Sequence, residues 1–314
     1  MIVSCVLAFR FPFELFLFSY AVLGPLHYLT EISWLHERKY FTEGKRSKHA
    51  HQSWLILVAV TMVALIVGFV AVEGIGSRVS PKWEITFFYL VFVTALLVTE
   101  IKNRSARIIT LVASLLLLAL FATSNYYIIV AFFLVTIIHV LIFTGAFILH
   151  GALKGRSVSG TVSLVVYVFC TISFFLYIPA GHAAGNYIRR SYSSFNALNA
   201  ELIKLFGLGS AATAADIYES QPGLMIMRLI AFAYTYHYLN WFSKTSIIKW
   251  HAVPRGRTAV MIVVWLGALA LYAYDYSSGM AVLYFMSILH VMLEFPLDYR
   301  TFTGIGRELF AMAR

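Results

Sequence analysis

Four histidines, His27, His139, His237 and His290, each lie inside a separate run of apolar residues long enough to cross a bilayer. An ionisable side chain at that depth is costly and reads by default as a functional group. Two of the four carry a carboxylate one helical turn further on, Glu31 after His27 and Glu294 after His290. Residues at i and i+4 project from one helical face, so each carboxylate can ligate beside its histidine or orient the ring through its second nitrogen. Neutral imidazole suits zinc, copper, iron and nickel but brings no charge. The spacing therefore predicts a buried transition-metal site with His27, His139, His237 and His290 as ligands. Glu31 and Glu294 serve in it as additional ligands or as partners of the rings. The plainer reading of any single one of these histidines is a hydrogen bonder in helix packing.

The elements that must hold such a site are membrane helices. Hydrophobic residues make up 61% of the 314-residue chain and charged residues only 12%, where a soluble domain has about 25% charged. Runs of the length a bilayer requires fall near 11–35, 53–73, 85–101, 107–124, 126–150, 160–180, 224–243, 258–275 and 280–299. The expected fold is an all-α polytopic bundle of about nine transmembrane helices, one domain over 1–314. With the N-terminus outside and the C-terminus cytoplasmic, most of the 24 basic residues, among them Arg38, Lys39, Lys45, Arg46, Lys102, Arg104, Lys154, Arg156, Lys244 and Arg255, fall on the cytoplasmic side, as topology demands. Basic loops beside an anionic leaflet also account for the net charge of +10 without nucleic acid. The location implied is a bacterial inner membrane. The four histidines sit on odd-numbered spans running in one direction, at depths of roughly 10 to 22 Å from the cytoplasmic boundary, so tilt can bring them into one layer.

Other residues carry two readings each. Tyr236, Tyr238, Asn240 and Trp241 flank His237 and can line a substrate pocket; an aromatic belt at the interface explains them as well. The segment 181–223 is an extracytoplasmic connection, either an interfacial helix around Asn186 to Phe206 or a surface loop. His150, about 16 Å along the helix from His139, is too far for the same metal; a second metal or a proton path is the minority reading for it. His36, His49, His51 and His251 read as solvated loop residues, and His182 has no assigned role. Glu14 and Glu100 lie toward span ends, and Asp275 marks a helix boundary before Ser277, Ser278 and Gly279. Cys5 and Cys170 form no disulfide framework. Nucleophile elbows, phosphate loops and dinucleotide turns are absent from the sequence.

Several elements together resemble the Brp/Blh family of membrane β-carotene 15,15′-dioxygenases. Gly24, Pro25 and His27 with Glu31 are similar to the family's Gly-x-Pro-His and its following acidic residue. Ile137, Ile138 and His139 look like its Ile-Ile-His element, and His290 through Glu294 to Arg300 is similar to its C-terminal histidine segment. The family's His-x-x-x-His reads His237 to Trp241 here, and no acidic residue follows His139 closely. The resemblance implies an iron-dependent oxygenase with Fe(II) held by histidines, taking dioxygen and a hydrophobic substrate, a carotenoid, isoprenoid or lipid. No catalytic residue beyond the metal centre is assigned. The alternatives are a histidine- and carboxylate-lined transporter of metal ions or protons and a haem protein with two axial histidines.

Overall fold

In the computed structural model, residues 1–37, 48–75, 82–122, 134–179, 184–210, 213–249 and 252–313 are described. Arg38, Lys39, Lys45, Arg46, His182, His251 and the start of the expected span at 126–150 lie outside them, as do the side chains of His49 and His51. Every element among the described residues is helical. In chain order these are α1 Ile2–Arg10, α2 Pro12–Phe18, α3 Gly24–Glu37, α4 Lys48–Ile75, α5 Lys82–Thr99, α6 Arg104–Ala122, α7 Thr144–Gly155, α8 Val158–Leu176, α9 Asn186–Tyr192, α10 Asn196–Leu205, α11 Ala214–Tyr218, α12 Gln221–Ser243, α13 Thr245–Ile248, α14 Arg255–Tyr274 and α15 Tyr276–Met312. Two π-helical stretches interrupt the series, Ser19–Leu23 before α3 and Leu134–Phe143 before α7.

Among the described residues, five stretches are by length and composition apolar enough to cross a membrane: Pro12–Glu37, Ile137–Gly155, Val158–Leu176, Arg255–Tyr274 and Tyr276–Met312. They are compatible with an integral membrane protein. Their surfaces agree, because α8 exposes Val158, Val162, Val165, Phe169, Ile172 and Leu176 along one stripe, the reverse of a soluble amphipathic helix. Gln52–Gly68 and Thr86–Thr99 are shorter apolar helices at the second and third expected spans. The expected span near 224–243 is α12, which holds Gln221, Arg228, His237 and Asn240 and is less apolar for that reason.

The chain divides into two compact units, Met1–Thr30 with Thr136–Leu283, and Glu31–Val135 with Tyr284–Arg314. The first unit is organised around α12, which packs against α1, α2, α8, α10 and α11 and is buried along nearly its whole length. Its aromatic centre stacks Phe16 edge-on against Tyr192, Phe195 and Tyr234, with centroids 5.6, 4.9 and 5.2 Å away. Within 184–210 and 213–223 the structure has three short helices and a 3-10 turn. Their apolar residues Tyr192, Phe195, Leu198, Leu202 and Ile203 are buried, and Phe13 and Phe16 meet the Tyr192 ring edge-on at 5.1 and 5.6 Å. Helices α7 and α8 pack closely where Gly160 meets Ala152, and a Cβ there would lie 2.8 Å from the alanine side chain. Asp275 ends α14 and caps α15, its carboxylate accepting from the Ser278 N–H at 2.7 Å and the Ser278 hydroxyl at 2.8 Å. That is the boundary read from the sequence.

The second unit packs α4 and α5 against the C-terminal part of α15. Trp54, Val58 and Leu65 of α4, Phe88, Val91 and Ala95 of α5, and Ile288, Val291, Met292 and Phe295 of α15 form one apolar cluster. The i, i+3/i+4, i+7 spacing on α5 and α15 is that of a buried helical stripe. Tyr299 donates to the Phe92 carbonyl at 3.1 Å, and Glu100 meets Arg307 at 4.0 Å.

Candidate metal centre

Proline chemistry sets the position of His27. Pro25 has no N–H and its ring crowds the carbonyl four residues back, so the helix widens before it. The Gly24 N–H reaches the Ser19 carbonyl, five residues back. A π turn holds one extra residue, which rotates all that follows by about 100° relative to an uninterrupted α-helix. His27 stands one turn after this stretch, and His139 lies inside the second π stretch, Leu134–Phe143. Such turns inside helices concentrate at functional sites. Both histidines are 1% exposed, and His237 on α12 is 5% exposed.

In the first unit the structure brings these three histidines together. Nε2 of His237 lies 3.1 Å from Nε2 of His27, with ring centroids 4.7 Å apart. The His139 ring stands against His237 with centroids 4.9 Å apart. On its far side, Nδ1 of His237 is 2.8 Å from the Thr144 hydroxyl, at the junction between the second π stretch and α7. When that nitrogen donates to Thr144, Nε2 turns its lone pair toward His27. Two nitrogens bound to one ion at about 2.1 Å and at angles of about 90 to 109° are separated by about 3.0 to 3.4 Å. The His27–His237 spacing falls in that interval, so a cation can replace the shared proton with no change in separation.

Aromatic residues wall the pair. The Tyr238 ring is 5.0 Å from His27 and the Trp241 ring 5.7 Å, with Phe242 at 6.4 Å. The Tyr238 hydroxyl is 2.8 Å from that of Tyr28, and the Trp241 indole donates to the Thr30 hydroxyl at 3.0 Å. Of the residues expected to line a pocket, Tyr238 and Trp241 therefore stand at the histidines. Tyr236 stacks on Phe232 at 5.8 Å and meets the tilted Tyr167 ring at 5.5 Å, and Asn240 is half-buried. Gly24 makes room for the phenols, since a Cβ there would sit 3.1 Å from the Tyr28 oxygen and 3.3 Å from that of Tyr238.

His290, Glu294 and Glu31, expected in the same ligand set, belong to the second unit. All three are buried, and ligand atoms of His290 and Glu294 lie within 4.8 Å of each other. Asp298, one further turn along α15, is 2% exposed and lies in electrostatic range of Glu294 and Glu31. The sequence reading missed Thr144 and Asp298. Thr144 carries no signal in one dimension. Asp298 does, because it continues the four-residue spacing of His290 and Glu294.

Half-buried His150 lies on α7, and Lys244 at the end of α12 holds its ammonium 4.9 Å from the Phe147 ring. Comparison with protein-family models, curated proteins and solved structures finds no match.

Proposed function

We propose that this chain is a non-haem iron oxygenase of the bacterial inner membrane, with about nine spans and its N-terminus outside, acting on a carotenoid, isoprenoid or other lipid with dioxygen. The observation that carries the reading is the pair of buried Nε2 atoms of His27 and His237, set at the edge length of a metal polyhedron and backed by Thr144. Iron(II) bound there supplies positions for dioxygen and for electron transfer that no amino-acid side chain offers.

The remaining work falls to the chain. Thr144 fixes the His237 ring, as partners of metal-binding histidines commonly do, and His139 stands beside it as a further nitrogen donor. Tyr238, Trp241 and Phe242 keep water from His27, which strengthens electrostatic interactions and protects reactive species from hydrolysis. A lipid-soluble substrate suits walls of this kind, and the resemblance to the Brp/Blh elements around His27 and His139 agrees with it.

The test is the metal content and optical spectrum of detergent-purified protein, beside the His27→Ala/His237→Ala variant. Iron without a Soret band, lost in the variant, is the expected result; it leads directly to assays of dioxygen consumption with carotenoids and isoprenoids. Folded protein free of any transition metal after anaerobic purification would overturn the reading in favour of a polar transport pathway.

A further inference from the structure

We propose that His290, Glu294 and Asp298 of α15, together with Glu31, form a cation site in the second unit, suited to a hard divalent ion such as Mn(II). The proposal does not depend on the oxygenase reading.

Three buried carboxylates, Glu31, Glu294 and Asp298, are 0%, 3% and 2% exposed. Glu294 and Glu31 lie in electrostatic range of Asp298, and their like charges repel its carboxylate. Burying a carboxylate in a medium of low dielectric is costly unless a proton, a cation or a hydrogen-bond donor offsets it. A second, independent observation points to a ligand. Both carboxylate oxygens of Asp298 are fully buried and have no hydrogen-bond partner among the described residues, where buried polar groups are nearly always satisfied.

The donors already have the spacing of ligands. His290, Glu294 and Asp298 recur at four-residue intervals and project from one side of α15. The Glu294 and His290 ligand atoms are within 4.8 Å of one another. Pro296 lies inside the same stretch of helix and offers no N–H to the carbonyl of Met292, four residues back. That leaves a backbone oxygen without its usual helical donor in the same turn. Oxygen donors in the majority with one imidazole favour a hard or borderline divalent ion over copper(I) or a thiolate metal.

The test uses full-length protein in detergent, stripped with a chelator and titrated with Mn(II), free ion being read by its EPR signal. Wild type should bind Mn(II), and the Asp298→Asn and Glu294→Gln variants should each weaken binding by at least about tenfold. Asp298→Glu, which keeps the carboxylate, should retain it. The His27→Ala/His237→Ala variant should still bind Mn(II) as wild type does, which separates this site from the histidine pair. If Asp298→Asn fails to insert, Glu294→Gln decides alone. Absence of Mn(II) binding by wild type, unchanged affinity in Glu294→Gln, or loss of all binding in the His27/His237 variant would each overturn the proposal. The first two of these outcomes say nothing of iron at the histidine pair, whereas the third would assign the bound ion to that pair.

Discussion

His27 and His237 face each other through their Nε2 atoms at 3.1 Å across 210 residues of sequence. Two long apolar elements must hold their rotation and depth for that meeting to occur. Removing either ring leaves the other without its partner nitrogen. His27→Ala and His237→Ala should therefore each lower iron affinity by more than about tenfold while the protein still inserts. Elemental analysis of the purified variants checks this, and full iron content in both would exclude the pair as ligands.

Thr144 touches no proposed metal position and acts through the His237 ring. Thr144→Val keeps the shape and removes the oxygen, so metal affinity should fall by about 10 to 100-fold. Thr144→Ser should restore it. Iron competition against a chelator distinguishes this positioning role from a packing role, because a residue that only packs would be rescued by valine rather than by serine.

Gly24 is required by the phenol pair rather than by its backbone angles. In Gly24→Ala the new methyl meets the Tyr28 and Tyr238 oxygens, at a cost of about 1 to 3 kcal/mol for an overpacked interior. Removing one of those oxygens in Tyr28→Phe opens the space. A double-mutant cycle in thermal unfolding should show that Gly24→Ala costs less in the Tyr28→Phe background, and strict additivity would rule out the steric account.

Asp275 provides the acid-side test of stability. The Ser278 N–H and hydroxyl hold its carboxyl below the ordinary 3.8, with Arg190 adding a smaller electrostatic pull. A group with a depressed folded value contributes its stabilisation fully above the unfolded value, and that contribution disappears as pH falls through the folded one. Wild type should accordingly lose thermal stability below about pH 3.8 more steeply than Asp275→Ala, which starts lower at neutral pH. Parallel pH profiles for the two proteins would remove this capping contribution.

Much of the molecule is written in single-residue chemistry. Apolar runs without compensating charge leave helices as the spanning solution, because a backbone without water must satisfy itself. The Asp275 boundary follows from a capping side chain two to four residues before serines and a glycine. His27, His139 and His237 stand out because an imidazole within an apolar run is expensive wherever the run ends up. That Trp241 follows His237 by one helical turn is legible in the sequence, but its hydrogen bond to Thr30 is not.

Tertiary structure decided the rest. Hydropathy records which residues avoid water and not the rotation of one helix against another, and each π turn shifts that rotation by about 100°. The stretches Ser19–Leu23 and Leu134–Phe143 are invisible to a count that assumes 3.6 residues per turn. For that reason the sequence determined which histidines are costly to bury, while only the folded chain decided that Nε2 of His27 meets Nε2 of His237, that Thr144 stands behind them, and that Tyr236 turns to Phe232 while Tyr238 turns to His27.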